Sequence, residues 1–213
     1  MARQNRRTLC KFLPRVALNA HCWIGAVTTL VMIGLSFTAP PGSTYRYSFL
    51  FLVGMVWATY AVRRKLLLHP LHFALLCSAL LLHNLGVFGY YRREFFGLQF
   101  DTYVHFYFGF VCTFVLSHGL KLAYRVTGWR LWLAVTLGIL GFGAIHELIE
   151  YFSTMALGPE RGMLKNLADD PYDTQKDLLN NLLGTQLSLL CSAFRNVLRS
   201  KAGFKVSPPP ASQ

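Results

Sequence analysis

Between Arg130 and Ser153 the chain reads RLWLAVTLGILGFGAIHELIEYFS. From Leu131 to Ile145 it carries no charge, and with its flanks it is long enough to span a bilayer, which takes roughly 20 mostly apolar residues. The helical pattern does not stop with the apolar run, because His146, Glu147 and Glu150 follow within it. A charge inside a span costs about 2.5–3.5 kcal/mol on insertion scales, so such residues face a partner or a cavity rather than acyl chains. The stretch therefore predicts a membrane-crossing helix whose far end turns carboxylates inward.

The composition agrees with this reading. Of 213 residues, 54% are hydrophobic and only 14% charged, against about 25% charged in soluble domains. Mean hydropathy is +0.38. Lys and Arg number 21 against 9 Asp and Glu, a net charge of +12. Binding of nucleic acid would need the basic residues gathered on a folded surface. Here they form short groups between apolar runs, so a nucleic-acid partner is excluded and a lipid bilayer is expected. The cysteines (Cys10, Cys22, Cys77, Cys112, Cys191) make no C-x-x-C pair and read as small apolar residues or free thiols.

The same criterion finds six spans: Val16–Thr38, Tyr47–Val62, Pro70–Tyr91, Thr102–Tyr124, Arg130–Ser153 and Tyr172–Phe194. Ala39-Pro40-Pro41-Gly42 and Gly158-Pro159 break helices, and Asp170-Pro171 looks like an N-cap followed by proline at the first helical position. With the N-terminus in the cytoplasm, inner segments hold 15 Lys and Arg residues and outer segments 6, which satisfies the positive-inside rule with both termini inside. The first span, basic and then apolar, reads as an uncleaved anchor. The expected fold is an all-α, polytopic helical bundle of about six transmembrane helices. Its parts are a basic cytoplasmic N-terminal segment (1–15), a six-span domain (16–194) and a basic, Pro-rich cytoplasmic tail (195–213). Tyr45, Tyr47, Tyr90, Tyr91 and Tyr103 would form an outer aromatic belt, and Trp129 and Trp132 an inner one.

All nine acids lie between positions 94 and 177, at the outer side in this topology. Asp101 and His105 are four apart and share a helix face. Their plain alternative is a dipole-stabilising carboxylate above an interfacial histidine. Gly143, Glu147 and Glu150 form one stripe, and His146 lies one turn from Glu150. Gly138, Gly141 and Gly143 would let a neighbouring helix approach closely. Asp173, Asp177 and Asn181 repeat every four residues and lead to Gly184 and Ser188, backed by a leucine face. His83 and Asn84 lie about two turns from the outer end of the third span, where a lone histidine can equally be a helix–helix hydrogen bond. His21, His69, His72 and His118 fall at the inner side and read as packing or interfacial residues.

The strings FDTYVHF with Gly109, HELIE, and YDTQKD with Gly184 resemble the YjdF family of bacterial inner-membrane proteins of uncharacterised function. The likeness spans roughly Leu80–Leu190. The D-x-x-x-H and D-x-x-x-N-x-x-G spacings are distantly similar to VanZ-like membrane proteins. The resemblance implies a multi-pass protein of the bacterial inner (cytoplasmic) membrane, with Asp101, His105, Glu147, Glu150, Asp173 and Asp177 matching a polar signature. The segment Gly158–Asp169 departs from the family's glycine-rich loop. The family supplies no reaction.

Carboxylates with histidine suit a divalent cation such as zinc, manganese or iron. In the leading reading Asp101, His105, Glu150 and Asp177 hold the ion, Glu147 or Asp173 acts as base, and His83, His146 and Asn181 support them. The protein would then be a metal-assisted hydrolase or transferase acting on a lipid-linked or envelope substrate. The alternatives are a cation- or proton-coupled transporter and a non-catalytic structural or regulatory membrane protein.

Overall fold

The computed structural model describes residues 2–39, 45–158 and 171–201. These fold into α1 (Ala2–Thr38), α2 (Tyr45–Val62), α3 (Pro70–Val87), α4 (Phe100–Tyr124), α5 (Gly128–Leu157) and α6 (Asp173–Lys201). Helices satisfy every backbone group internally, which a hydrocarbon solvent demands. Four stretches are long and apolar enough to cross a membrane: Ala20–Thr38, Pro70–Val87, Phe100–Tyr124 and Gly128–Ala156. The apolar stretch of α2, Phe49–Val62, is shorter. Helix α6 is less apolar because one of its faces is polar throughout.

Several ends differ from the expected ones. The third span stops at Val87 rather than Tyr91, because Gly89 takes φ +127° and Tyr90–Arg92 form a 3-10 turn. A short antiparallel hairpin follows, β1 (Glu94–Phe95) paired with β2 (Leu98–Gln99), which sequence periodicity did not suggest. Phe96 and Gly97 make its two-residue turn with φ of +52° and +77°, the conformation that fits strand twist. Helix α5 continues to Leu157 and closes on Gly158, whose N–H donates to the Thr154 carbonyl at 2.9 Å. Pro171 and Tyr172 form a turn, so α6 starts at Asp173 and Pro171 is not its first residue. Asp169, Asp170 and the expected loop to the sixth span lie outside the described residues, except Gly158. Helix α6 also runs past Phe194 to Lys201.

The bundle has two halves. In the first, α1, α2 and α3 enclose an apolar cluster of Met32, Leu52, Val56, Phe73 and Cys77. His21 ties α1 to the loop before α3, its Nε2 lying 3.0 Å from the Leu68 carbonyl. His69 caps α3, its Nδ1 accepting from the Leu71 N–H at 3.2 Å, with Pro70 at the first position. In the second half α4, α5 and α6 pack together, α4 against α6 most extensively, and α3 joins α4 to the first half.

The α4–α6 crossing is a backbone contact. A Cβ at Gly184 would collide with the Phe106 carbonyl, and one at Gly109 with the Asn181 carbonyl. Gly143 of α5 leaves room for Leu178 and the Asn181 amide, and Gly138 rests against Leu116. Gly141 was expected to serve the same purpose, but no neighbour lies within 4 Å of its Cβ direction, and it faces outward. Helix α6 is inverted relative to a soluble helix. Asp177, Asn181, Thr185 and Ser188 are buried, while Leu179, Leu183, Leu187 and Leu190 are exposed. On α5, Leu133, Leu137, Phe142, Ile145, Leu148, Ile149 and Phe152 are likewise exposed. Surfaces of this kind belong in acyl chains rather than water.

Candidate metal centre

Helix α4 begins at Phe100, so Asp101 sits in its first turn and His105 one turn deeper, both buried. His105 Nε2 lies 3.5 Å from Asp101 Oδ1 and 3.4 Å from Asp177 Oδ2 of α6. Its other nitrogen, Nδ1, lies 3.3 Å from the Asn181 side-chain nitrogen. An amide N–H only donates, so in this arrangement Nδ1 accepts and Nε2 carries the proton of the neutral ring toward the carboxylates. Asn181 Oδ1 is buried with no hydrogen-bond partner among the described residues. The two ends of an amide are nearly equal in shape, and its orientation follows the hydrogen bonds around it. Turned over, Asn181 would accept from Nδ1–H and leave the Nε2 lone pair free to bind a cation.

The second group lies on α5. His146 Nδ1 is 3.6 Å from Glu150 Oε1 and 3.9 Å from Glu147 Oε1. Glu147 is 6% exposed, and its Oε2 accepts from Thr174 of α6 at 2.9 Å. Its Oε1 makes no hydrogen bond among the described residues. Within each trio, Asp101–His105–Asp177 and His146–Glu147–Glu150, one potential ligand atom per residue lies within 4.8 Å of the others. The trios adjoin, since the His105 and His146 ring centroids are 5.9 Å apart.

His83 completes a row of imidazoles, 5.6 Å from His146. Its Nδ1 lies 2.5 Å from the Tyr91 hydroxyl. Tyr91 can reach it because Gly86 has no side chain; a Cβ there would collide with the phenol ring. Burial, and after it the carboxylates of Asp101, Glu150 and Asp177, hold the Tyr91 phenol well above its usual range. It therefore keeps its proton, and the hydroxyl shares a hydrogen bond with His83 whose direction follows the imidazole tautomer. Carboxylates from α4, α5 and α6 thus all act on one hydroxyl.

The structure divides the residues singled out from the sequence. Asp101, His105 and Asp177 form one group, and Glu150 sits with His146 and Glu147 instead of with them. Asp173 is buried in the first turn of α6, one turn before Asp177. Asn181 and His83 touch the site through His105 and His146. Two participants were missed. Tyr91 was assigned to an aromatic belt, yet it turns inward against His83. Only its position five residues after Gly86 hints at this, and nothing in sequence spacing requires it. Thr174 could have been found, since it lies three residues before Asp177 and so shares its side of α6.

Residues 20–197 match the family described as "Predicted membrane protein (DUF2238)", and the chain belongs to that family. The description names a membrane protein and no reaction. No curated protein and no solved structure matches the chain.

Proposed function

We propose that this member of the family is a multi-pass protein of the bacterial inner membrane that binds a divalent metal at its acidic end. The metal serves hydrolysis or group transfer on a lipid-linked or envelope substrate. The span domain at 16–194, the cytoplasmic segments flanking it and the outward orientation of the site belong to this reading. The strings resembling the YjdF family, and more distantly VanZ-like proteins, are compatible with it but contribute no chemistry.

The observation that carries the reading is the pair of adjoining carboxylate–histidine trios from three helices. Two carboxylates facing one imidazole nitrogen form a donor set for zinc, manganese or iron. Asp101, His105 and Asp177 would hold the ion, with Asn181 as the partner that sets the His105 tautomer. His146 and Glu150 provide a second position. A bound divalent ion supplies a Lewis acid and a nucleophilic water near neutral pH. Glu147 is then placed to take a proton, because Thr174 fixes one oxygen and leaves Oε1 available. Asp173 is the other candidate base.

The test is a thermal-stability series on protein stripped with chelator. Zinc or manganese should raise Tm, by mass action worth about 2.7 kcal/mol at a hundredfold excess over Kd. Asp177→Asn should abolish the shift, while Glu94→Gln on the exposed hairpin should not. A Tm indifferent to zinc, manganese, magnesium and calcium contradicts the reading.

A second reading, transport, has one observation in its favour. The buried polar stripes do not end at the site. Thr113 and Ser117 continue the α4 series of Asp101, His105 and Gly109 at steps of four, and Thr185 and Ser188 continue that of α6. Counterflow of labelled zinc or manganese in proteoliposomes separates transport from hydrolysis.

A further inference from the structure

At the opposite end of the second half, a cavity of about 250 Å³ opens where the end of α4, the start of α5 and the last third of α6 diverge. Lys121, Thr127, Trp132, Ser192 and Asn196 line it with polar and aromatic groups. Its apolar floor is Leu131 and Leu189, both members of the buried cluster of this half. Lys121 is half-buried, in the last turn of α4, and it lies close enough to Arg195 of α6 for the two cations to repel one another. Arg125 and Arg130 are exposed in the same region.

No carboxylate of these helices is near. Glu147 is 15 positions along α5 from Trp132, and Asp177 is 15 positions along α6 before Ser192, each about 22 Å of helix. Thr127, the N-cap of α5, makes no side-chain capping bond to the first turn of that helix. The cavity thus combines a recessed lysine, a second cation, hydroxyl and amide donors and a helix start, with no anion among the described residues to balance them.

We infer that this cavity binds the phosphate headgroup of an anionic phospholipid from the leaflet adjoining the basic end of the bundle. Basic pockets between transmembrane helices on this kind of face take such headgroups. The membrane depth is right as well, since Trp129 is exposed with the Arg130 guanidinium 5.9 Å from its ring centre, a pair suited to the headgroup zone. Lys121 meets the phosphate as a point charge. Ser192 and Asn196 donate to its oxygens, and the acyl chains leave along the exposed face of Phe194, Val197 and Leu198. The inference is independent of the metal reading, as the two sites lie at opposite ends of the same helices.

The test is native mass spectrometry of the full chain in neutral detergent, titrated with phosphatidylglycerol, with phosphatidylcholine and with inorganic phosphate. Wild type should retain phosphatidylglycerol at least about fivefold more tightly than phosphatidylcholine, which corresponds to about 1 kcal/mol per cation engaged. Lys121→Ala and Asn196→Asp should each remove that preference, and Lys121→Arg should keep it. Arg64→Gln, in the loop between α2 and α3, should leave it unchanged. Equal retention of the two lipids, or a preference that survives both Lys121→Ala and Asn196→Asp, overturns the inference. Saturation by inorganic phosphate with no further gain from lipid also overturns it, and assigns the cavity to a soluble anion.

Discussion

The two halves of the bundle sit in the same solvent but are held together differently. The α1–α3 half is filled by Met32, Val56 and Phe73, all essentially inaccessible, and its polar contacts are single ties such as Trp57 Nε1 to Thr29 Oγ1 at 3.0 Å. The acidic end of the α4–α6 half is filled by Asp101, His105, Asp177, Asn181, Thr185 and Ser188, with Leu179, Leu183 and Leu187 of α6 turned outward, and only its other end carries an apolar cluster, of Leu131, Val135, Ile139 and Leu189. In a bilayer, apolar burial adds little drive for helices to associate, and close packing of small residues with internal polar contacts does more. The second half follows that rule at Gly109 and Gly184, and the first half resembles an ordinary core. The lesson is that the polar interior sits where backbones approach most closely, which keeps lipid away from the carboxylates.

The contrast can be broken most forcefully at the α4–α6 crossing. Gly184→Ala places a methyl against the Phe106 carbonyl, backbone that cannot step aside. The destabilisation should exceed the roughly 1–3 kcal/mol of ordinary overpacking, seen as a loss of folded protein or a large fall in Tm. Gly141→Ala, in open surroundings, should leave Tm unchanged. Equal effects would mean that the glycine contact is not what holds this half.

Phe73→Ala probes the other half. It should lower stability by about 3–5 kcal/mol as a truncated core aromatic does, while metal affinity per folded molecule stays the same. A parallel loss of metal binding would show that the halves are not separable in the way described.

Within the polar half, Asp177→Asn should weaken metal binding beyond the roughly 10–100-fold typical of losing an outer partner. Asn181→Leu should fall within that range. Isothermal titration of chelator-stripped protein checks both. The smallest effect expected is that of Tyr91→Phe, which removes one hydrogen bond to His83 and should cost about 0.5–1.5 kcal/mol of stability, read as a modest drop in Tm with metal stoichiometry unchanged.

Much of this contrast is legible in the residues themselves. Helix existence follows from apolar length, and the inward polar face of α6 follows from Asp173, Asp177 and Asn181 recurring every four residues against a leucine background. The division of the ligands is not legible. Glu150 meets His146 one turn away on its own helix, a spacing visible in the sequence, but its separation from Asp101, His105 and Asp177 depends on how α5 packs beside α4 and α6, a tertiary quantity. Tyr91 escaped because its direction is decided by Gly89, whose positive φ ends α3 early and swings the following turn inward. The continuation of the α4 stripe through Thr113 and Ser117 was present in the sequence as steps of four, hidden because Thr and Ser are unremarkable in a spanning helix.

The metal reading rests on two adjoining carboxylate–imidazole groups, one from α4 and α6 and one from α5, and elemental analysis of the detergent-purified protein addresses it directly. Wild type purified without chelator should carry one to two equivalents of a transition metal per chain, falling by at least one in the Asp101→Asn, Asp177→Asn double variant at equal folded fraction. Wild-type protein that stays metal-free after incubation with zinc and manganese, or a double variant that retains the full wild-type complement, would contradict it.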